Sequence, residues 1–291
     1  RCLRVRKAPA GFAASVLAYL LWGFITIYWK QLTHFNAFEL IGHRILWSSV
    51  LLTVVIVASS KWRAVLSAFR SPRTLGQLVL AAVLLTVNWT SYVYAVVHGH
   101  VVETALGYFI APIGTMLVGV YVMKEHFRRA QQVALALATV AVIVLGVAYG
   151  RVPVIALLLG TSWCAYGYVK RSVPLAAVES LAGETLLLAA PAAVLVTLRQ
   201  TTGSGIFEVG STTQVVLVLL SAVVTATPLV LFAYAAKRTP FTILGPVGYL
   251  VPTINFLLGV FVYHEPLTPA RVVGFALVWL ALAIMTVDSL R

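Results

Sequence analysis

The feature that most constrains this chain is a series of ten long apolar stretches separated by short connections. Apolar residues make up 61% of the sequence and charged residues only 10%, against roughly a quarter charged in an average soluble domain. A helix needs about 20 mostly apolar residues to cross a bilayer, so ten such helices would leave no room for a sizeable soluble domain. The predicted spans are residues 8–29, 36–60, 75–98, 101–123, 130–150, 152–169, 175–198, 214–236, 240–263 and 269–287. We therefore predict an all-α membrane protein with ten transmembrane helices.

The basic residues predict the orientation of these helices. Lys and Arg total 21 against 8 acidic residues, and 16 of the 21 fall at the two termini and in alternate loops. Only 4 fall in the other loops, namely Lys30, Arg151, Arg199 and Arg271. Because cytoplasmic loops carry the excess of Lys and Arg, both termini are predicted to be cytoplasmic. We attribute the basic net charge to topology and predict no nucleic-acid partner, with binding of lipid headgroups or nucleic acid as the alternative.

The sequence repeats itself at an offset of 140 residues without gaps. Only 8 acidic residues are present, and 4 of them form two pairs at this offset, which random placement would rarely produce. The matching pairs include Pro112 and Pro252, Gly119 and Gly259, Glu125 and Glu265, Lys30 and Lys170, and Glu39 and Glu179. Each unit, 1–150 and 151–291, holds five predicted spans, and an odd number means that the second unit is inverted. In transporters with inverted repeats the substrate site lies near the midplane between the halves.

Several titratable side chains lie inside predicted spans, where charged groups usually face a bundle interior or a watery cavity. The repeat places Arg44 and Glu184 at equivalent positions with opposite charge, and we expect them to face each other between the halves. Two interpretations stay open: a static ion pair, or a polar site that binds substrate or exchanges a proton. Because Glu184 lies deepest in its span, it is the predicted proton carrier of a coupled transporter.

A second pair of titratable residues lies near the outer end of the second span. Glu39 and His43 are four residues apart and share one helical face, so they are candidates for an outer gate or a proton relay. The alternative is that Glu39, like Glu179, snorkels to the membrane interface.

Prolines interrupt the middle of three predicted spans, at Pro112, Pro228 and Pro252. A central proline frees a backbone carbonyl, and matched interruptions in two halves point to a transport site, although kinks for packing are the alternative. The spacing Gly146-x3-Gly150 permits close helix contact. The candidate cavity-lining residues are Asn88, Tyr92, Tyr94, Trp163, Tyr166 and Asn255. For the aromatic residues among them, helix packing is the alternative role. Tryptophans near span ends are expected to be interfacial anchors.

Motifs for catalysis or for a cofactor are missing from the sequence. We find no H-E-x-x-H, no G-x-S-x-G and no phosphate-binding glycine loop. His98 and His100 beside Glu103 imitate a metal site, but an outer loop with solvated histidines is the expected reading. The two cysteines, Cys2 and Cys164, are too few for a disulfide framework and are predicted to be free thiols. We predict no enzyme activity, no cofactor and no metal.

Several motifs together resemble the RarD branch of the EamA-type drug/metabolite transporter superfamily, over nearly the whole chain. They are Glu39-Leu-Ile-Gly-His43-Arg44, Asn88-Trp89-x-x-Tyr92, Leu106-Gly107-Tyr108-Phe109-Ile110-x-Pro112, Tyr166-Gly167-x-x-Lys170, Glu184-Thr-Leu-Leu-Leu, Thr225-Ala-x-Pro228 and Tyr249-x-x-Pro252-Thr253. The resemblance implies ten helices in two inverted repeats, a bacterial inner membrane, and export of small metabolites or drugs. The chain departs from the family pattern at two expected cavity positions, with Ala111 in place of Asn and Gly248 in place of Gln.

These observations predict a secondary transporter that works by alternating access and exports small metabolites, amino acids or drugs, with proton coupling as one mode. The alternatives are an uncoupled facilitator or exchanger and, from a different class, an intramembrane enzyme or a receptor-like scaffold. The predicted partners are a small-molecule substrate and the lipid bilayer, and a homodimer is left open.

Overall fold

A computed structural model describes residues 9–98, 101–150, 152–264 and 269–290, and every regular element in these ranges is a helix. The helices are α1 (Pro9–Lys30), α2 (Ala37–Ala58), α3 (Trp62–Arg70), α4 (Pro72–Val97), α5 (Val101–Leu117), α6 (Arg129–Tyr149), α7 (Val154–Ser172), α8 (Ala177–Thr201), α9 (Ile206–Val209), α10 (Thr212–Ala236), α11 (Phe241–Val247), α12 (Leu250–Leu257) and α13 (Pro269–Leu290). Each predicted span contains a helix, and α11 and α12 share the ninth. The short helices α3 and α9 were not predicted.

Eight helical segments within the described ranges are long and apolar enough to cross a membrane. They are Ala10–Lys30, Ala37–Ala58, Pro72–Ala95, Glu103–Val122, Arg129–Tyr149, Ala177–Thr201, Thr212–Ala236 and Phe241–Val262. Helix α13 contributes a shorter apolar segment, Val272–Ile284, and α7 carries Lys170 and Arg171 in its last turn. The chain is therefore an all-α, multi-pass membrane protein.

Helix α3 is amphipathic because its apolar and basic residues fall on different faces. It buries Val65 and Ala68 and packs against α4 and α8, while Trp62 is exposed. Its turn from α2 is tight, and Ser60 there adopts a positive φ of 56°. A helix of nine residues is too short to cross a bilayer, so α3 is a connection that lies along one end of the bundle.

The closest helix pairs join the first half of the chain to the second half. Helix α1 packs on α10, α4 on α7, α2 on α8, α5 on α11, and α6 on α13. The largest core cluster likewise takes side chains from both halves, including Tyr19, Leu78, Tyr166, Phe232 and Leu244. Each half therefore completes its core only with helices of the other half.

The ends of α5 and α12 have the same local geometry. Helix α5 continues into a π-helical turn, Val118–Val122, and α12 into another, Leu258–Val262. Two residues after each turn the chain adopts a positive φ, 56° at Lys124 and 52° at His264. The two segments begin 140 residues apart, which is the offset of the sequence repeat.

The prediction of helix breaks at the prolines is wrong in two of three places. Helix α5 continues through Pro112 and α10 continues through Pro228, because a transmembrane helix tolerates the loss of one backbone hydrogen bond when its neighbours pack around it. The ninth span does break, between α11 and α12, just before Pro252. A Cβ added at Gly248, next to this break, would lie 2.9 Å from the Gly245 carbonyl oxygen and 3.3 Å from the Pro112 ring. The break therefore coincides with a close crossing of α5.

Contacts between connections define two ends of the bundle. At the basic end, Lys61 pairs with Glu179 and the α7–α8 connection contacts α4 and the residues that follow α10. At the opposite end, Glu39 near the start of α2 contacts α8 and α9. Most of the basic loop residues within the described ranges therefore lie at one end.

Candidate functional site

A central cavity of about 520 Å³ lies between the helices. Helices α1, α2 and α4 line it with residues from the halves that lie nearest the α1–α2 connection, and α5 lines it along most of its length. Residues of that connection, of α7 and α10, and of the ninth span complete the lining. The aromatic lining residues are Tyr19, Trp22, Trp29, Phe35, Trp89, Tyr92, Tyr108 and Trp163. Thr33 of the α1–α2 connection is exposed and is one of the lining residues, so the cavity reaches the surface at the end opposite the basic end, which we call its mouth. Its volume is in the range of small-molecule sites.

Aromatic rings in mutual contact close the floor of the cavity. The ring centroids of Trp22 and Trp163 are 5.1 Å apart, and those of Trp163 and Phe232 are 4.7 Å apart. Phe232 stacks in turn on Tyr166, and both of these side chains are almost completely buried. This cluster separates the cavity from the basic end of the bundle.

Arg44 is the charged residue in the middle of the cavity wall. Its Nε donates a hydrogen bond of 3.1 Å to Thr225 Oγ1 on α10. Its guanidinium carbon lies 4.7 Å from the ring centroid of Trp29 and 4.5 Å from that of Trp89, distances typical of cation–π contacts. Arg44 forms no ion pair with any carboxylate of the described residues.

The predicted Arg44–Glu184 pair is wrong, because Glu184 has a different cation. Lys170 Nζ lies 2.6 Å from Glu184 Oε1, and Tyr166 donates a hydrogen bond of 3.1 Å to Oε2. Ser180 accepts from Lys170 at 2.7 Å and donates to Glu184 at 3.1 Å. The repeat relates Arg44 and Glu184 by position but does not bring them together, since the long side chains of Lys170 and Tyr166 on α7 reach Glu184 instead.

The Lys170–Glu184 network is separate from the cavity. Both charged side chains have 0% exposure, and neither is among the cavity-lining residues. In the sequence, Lys170 directly follows the predicted sixth span, 152–169, and was therefore counted as a loop charge. The signal for a buried network was the spacing of its polar residues. Tyr166 lies four residues before Lys170, and Ser180 lies four residues before Glu184, so each pair shares one face of its helix.

Glu39 and His43 form a buried network at the opposite end. Glu39 Oε1 accepts from the backbone N–H of Ile206 at 2.8 Å and from Gln200 at 3.2 Å. His43 Nε2 lies 3.6 Å from the same oxygen, and Trp47 donates to His43 Nδ1 at 3.3 Å. The snorkelling alternative is therefore wrong for Glu39, whose carboxylate holds α9 against α2.

The snorkelling alternative is also wrong for Glu179. Its side chain is only 7% exposed and pairs at 3.3 Å with Lys61, which is 51% exposed. Here the cation reaches in from the connection before α3, so the carboxylate stays buried.

A polar seam closes the basic end between the two halves. Glu125 accepts hydrogen bonds of 2.9 Å from the backbone N–H groups of Phe241 and Thr242 at the start of α11. Arg171 lies 3.5 Å from Glu125 and donates to the Thr239 carbonyl at 3.1 Å. These bonds join the α5–α6 connection, the end of α7 and the start of α11.

Lys237 adds a further bond to the basic end. Its ammonium group donates to the carbonyls of Val173 and Leu175. Burial lowers the pKa of Lys237, and the nearby positive charges of Lys170 and Arg238 lower it further. The carbonyl oxygens offset part of this cost by accepting hydrogen bonds from the charged form.

Half of the predicted site residues line the cavity. Those that do are Arg44, Asn88, Tyr92, Trp163, Asn255 and Pro112. Those that lie elsewhere are Glu39, His43, Tyr166, Glu184, Pro228 and Pro252. The two cavity amides are engaged within the protein, since Asn88 Nδ2 donates to Leu159 O and Ser162 Oγ, and Asn255 Oδ1 accepts from Thr26.

Two of the residues that imitated a metal site, His98 and Glu103, contact different groups. His98 stacks on Tyr94, which lies outside the cavity lining, and Glu103 accepts from Tyr149 and from the N–H of Ile155. Across the part of the chain that the structure describes, no three His, Cys, Asp or Glu residues form a metal-binding group. His100 lies outside the described residues.

Of the eight aromatic lining residues, only Tyr92 and Trp163 were predicted from the sequence as cavity residues. The six that were missed are Tyr19, Trp22, Trp29, Phe35, Trp89 and Tyr108. Tryptophans near span ends were expected at the lipid interface, but Trp29 and Trp89 point to Arg44. The signal for Trp29 and Trp89 was Arg44 in the interior of a span, since a desolvated guanidinium needs aromatic faces or acceptors around it.

Comparison with known proteins identifies the class to which this fold and cavity belong. The model of the EamA-like transporter family matches residues 9–147 and again 152–287. A RarD protein of Streptomyces exfoliatus is 41% identical over 94% of this chain and 87% of its own length. The transporter YojE of Bacillus subtilis, whose function is uncharacterized, is 34% identical over 98% of this chain and 96% of its own. A solved crystal structure with 21% identity has the same fold, with a TM-score of 0.74 over 98% of this chain and 100% of that chain.

The chain therefore belongs to the EamA-like transporter family, in the branch that contains the RarD proteins. The resemblance drawn from the sequence motifs is confirmed. The assignment to membrane transport and not to an enzyme is confirmed as well, because the family and its named relatives are transporters.

Proposed function

We propose that this protein is a secondary transporter of the bacterial inner membrane that works by alternating access. The observation that carries the proposal is the cavity, which opens at one end of the bundle and is sealed at the other by an aromatic floor and a polar seam. A pore would be continuous, and an enzyme would need convergent catalytic groups. A cavity with one opening is the arrangement that alternating access requires.

Ten transmembrane helices in two inverted units, 1–150 and 151–291, account for the packing. Exchanging the two halves converts the α1–α10 pair into the α7–α4 pair, and leaves the α2–α8, α5–α11 and α6–α13 pairs unchanged. The π-helical turns at the same offset support the same relation. A rocking motion about such a pseudo-two-fold axis would close one end of the cavity as it opens the other.

The positive-inside count supports a cytoplasmic basic end. The cavity then faces the outside, and the seam around Glu125 is the cytoplasmic closure. Export would require this seam to open, so that a substrate enters from the cytoplasm and leaves by the mouth at Lys30 and Thr33. We propose small metabolites, amino acids or drugs as the cargo.

An uncoupled facilitator or exchanger is the second candidate, and the Lys170–Glu184 pair favours it. The Glu184 carboxylate lies 2.6 Å from the Lys170 ammonium group and does not line the cavity, so it has no direct contact with a proton or substrate that enters there. Proton coupling would require Glu184 to leave Lys170 when the cytoplasmic half opens. Under coupling, Glu184→Gln abolishes proton-driven accumulation and retains counterflow, whereas in an exchanger the wild-type protein itself shows no accumulation.

The test is uptake and counterflow by purified protein in liposomes, with and without a proton gradient, over a panel of amino acids, amphenicols and small organic acids. Ala37→Trp, which fills the cavity mouth, should abolish the flux. Ser204→Trp is the matched control, because Ser204 is exposed at the same end outside the cavity. Flux that is unchanged in Ala37→Trp, or no flux of any compound, would contradict the proposal.

A further inference from the structure

The cavity wall carries positive charge without a compensating carboxylate. Its charged lining residues are Arg44 in the middle and Lys30 at the mouth. Among the described residues that line the cavity there is no Asp or Glu. By contrast, the carboxylates of Glu39, Glu125 and Glu184, which lie outside the cavity, are each bound by backbone N–H groups or by a cation.

Arg44 is held in place by a hydrogen bond from its Nε, and its two terminal guanidinium nitrogens remain available to a ligand in the cavity. Only Nε is used, in the bond to Thr225, and no described side chain or carbonyl accepts from the two terminal nitrogens. A guanidinium presents these nitrogens as a planar fork that matches a carboxylate with two parallel hydrogen bonds. Trp29 and Trp89 restrict the orientation of the fork, so little rotational freedom is lost when an anion binds.

The surroundings of Arg44 specify the rest of the ligand. Trp163, Tyr92 and Tyr108 line the same cavity and present aromatic surface, which suits a flat apolar body. The amides of Asn88 and Asn255 already bond within the protein. A substrate ammonium group would find no carboxylate and would be repelled by Arg44.

We propose that the transported molecule is a small organic monoanion, a carboxylate on a flat apolar or aromatic body without a compensating positive charge. This inference deepens the proposed function, and its claim that the bound anion is transported rests on that function. Lys30 at the mouth attracts the anion toward the cavity, and Arg44 binds the carboxylate while the aromatic walls bind the body.

Four compounds with the same phenyl group separate the alternatives in a binding assay on the purified protein. They are 3-phenylpropanoate, its neutral amide, the zwitterion L-phenylalanine and the cation phenethylamine. We expect 3-phenylpropanoate to bind tightest and the amide to bind about tenfold to a hundredfold more weakly, since a charge-assisted hydrogen bond is lost. Phenethylamine should show no saturable binding.

Substitutions test whether Arg44 causes the preference for the acid over the amide. Arg44→Gln should remove the difference between acid and amide, and Arg44→Lys should retain part of it, because the charge stays but the fork is lost. Arg63→Gln removes the same charge on α3, outside the cavity, and should behave as wild type. If Arg44→Gln does not fold, the wild-type comparison of acid with amide decides alone.

Equal affinity for acid and amide, tighter binding of the zwitterion or the cation, or no binding of any of the four would overturn the inference. Unchanged binding of 3-phenylpropanoate by a folded Arg44→Gln would overturn it as well. Liposome flux distinguishes this from a failure of the proposed function. Flux of neutral compounds alone would support the proposal of a transporter and refute the proposal of an anionic substrate. Arg44-dependent binding without flux would support an anion-binding site and refute transport.

Discussion

Replacing Lys170 by Met tests how much the buried ion pair contributes to stability. The substitution removes the cation 2.6 Å from Glu184 and leaves a carboxylate with 0% exposure, which retains only the hydroxyls of Ser180 and Tyr166. Breaking a buried pair in this way costs about 3–5 kcal/mol. At about 2–4 °C per kcal/mol, we expect the Tm to fall by about 6–20 °C.

The assay is thermal unfolding of the purified protein in detergent, followed by tryptophan fluorescence, with two further variants. The double variant Lys170→Met with Glu184→Leu removes both charges and should recover most of the loss, because an apolar pair of similar volume replaces a desolvated ion pair. Lys61→Met is the matched control. It breaks the Lys61–Glu179 pair, whose lysine is 51% exposed, and a solvent-screened pair contributes about 1 kcal/mol or less.

Two outcomes would refute this reasoning. A fall in Tm of less than about 2 °C for Lys170→Met would mean that water or another group replaces the ammonium at little cost. A double variant as unstable as the single one would mean that the side chains act by shape and not by charge.

Three further changes test other parts of the structure. Cysteine labelling from outside intact cells should reach Ser204→Cys and miss Ser67→Cys, both of which are exposed, and the reverse pattern would invert the orientation. Glu125→Gln should weaken the seam at the basic end, because a neutral amide binds the N–H groups of α11 less strongly; alkylation of a cysteine behind the seam should become faster, and an unchanged rate would show that the seam is not the closure. Gly248→Ala should lower the Tm, since its Cβ would lie 2.9 Å from a carbonyl oxygen, whereas Gly146→Ala, with nothing within 4 Å, should not; equal effects would remove the close crossing.

The helices were predictable because a long apolar run in a bilayer permits few structures other than a helix. All ten predicted stretches contain a helix within a few residues of the expected limits. The connections α3 and α9 were missed, since a helix of nine residues or fewer carries no comparable signal. The spacing Gly146-x3-Gly150 permits close helix contact, but among the described residues no atom of a neighbouring helix lies within 4 Å of a Cβ built at Gly146. Gly150 ends α6 with a positive φ of 79°.

The partners of the charged residues were harder to predict than the helices. The positions of Arg44 and Glu184 inside apolar spans show that both need polar partners in the membrane. Which partner each one finds depends on the side chains that reach it in the folded protein. The long side chain of Lys170 on α7 reaches Glu184 on α8, whereas α2 packs on α10 and Arg44 bonds to Thr225. The Lys170 position was misjudged because a lysine at the end of a span usually faces water, and here its long side chain turns inward.

The pairing of helices across the two halves bears on how the chain is made. During synthesis α1, α2 and α4 enter the membrane before α7, α8 and α10, which are their main packing partners. Arg44 meets Thr225 only after α10 has been inserted. The helices inserted first therefore lack the partners of their polar side chains until the later helices arrive. A chain that stops near residue 150 is expected to lack a complete core. These contacts predict that the core packs only after the helices of the second half have been inserted.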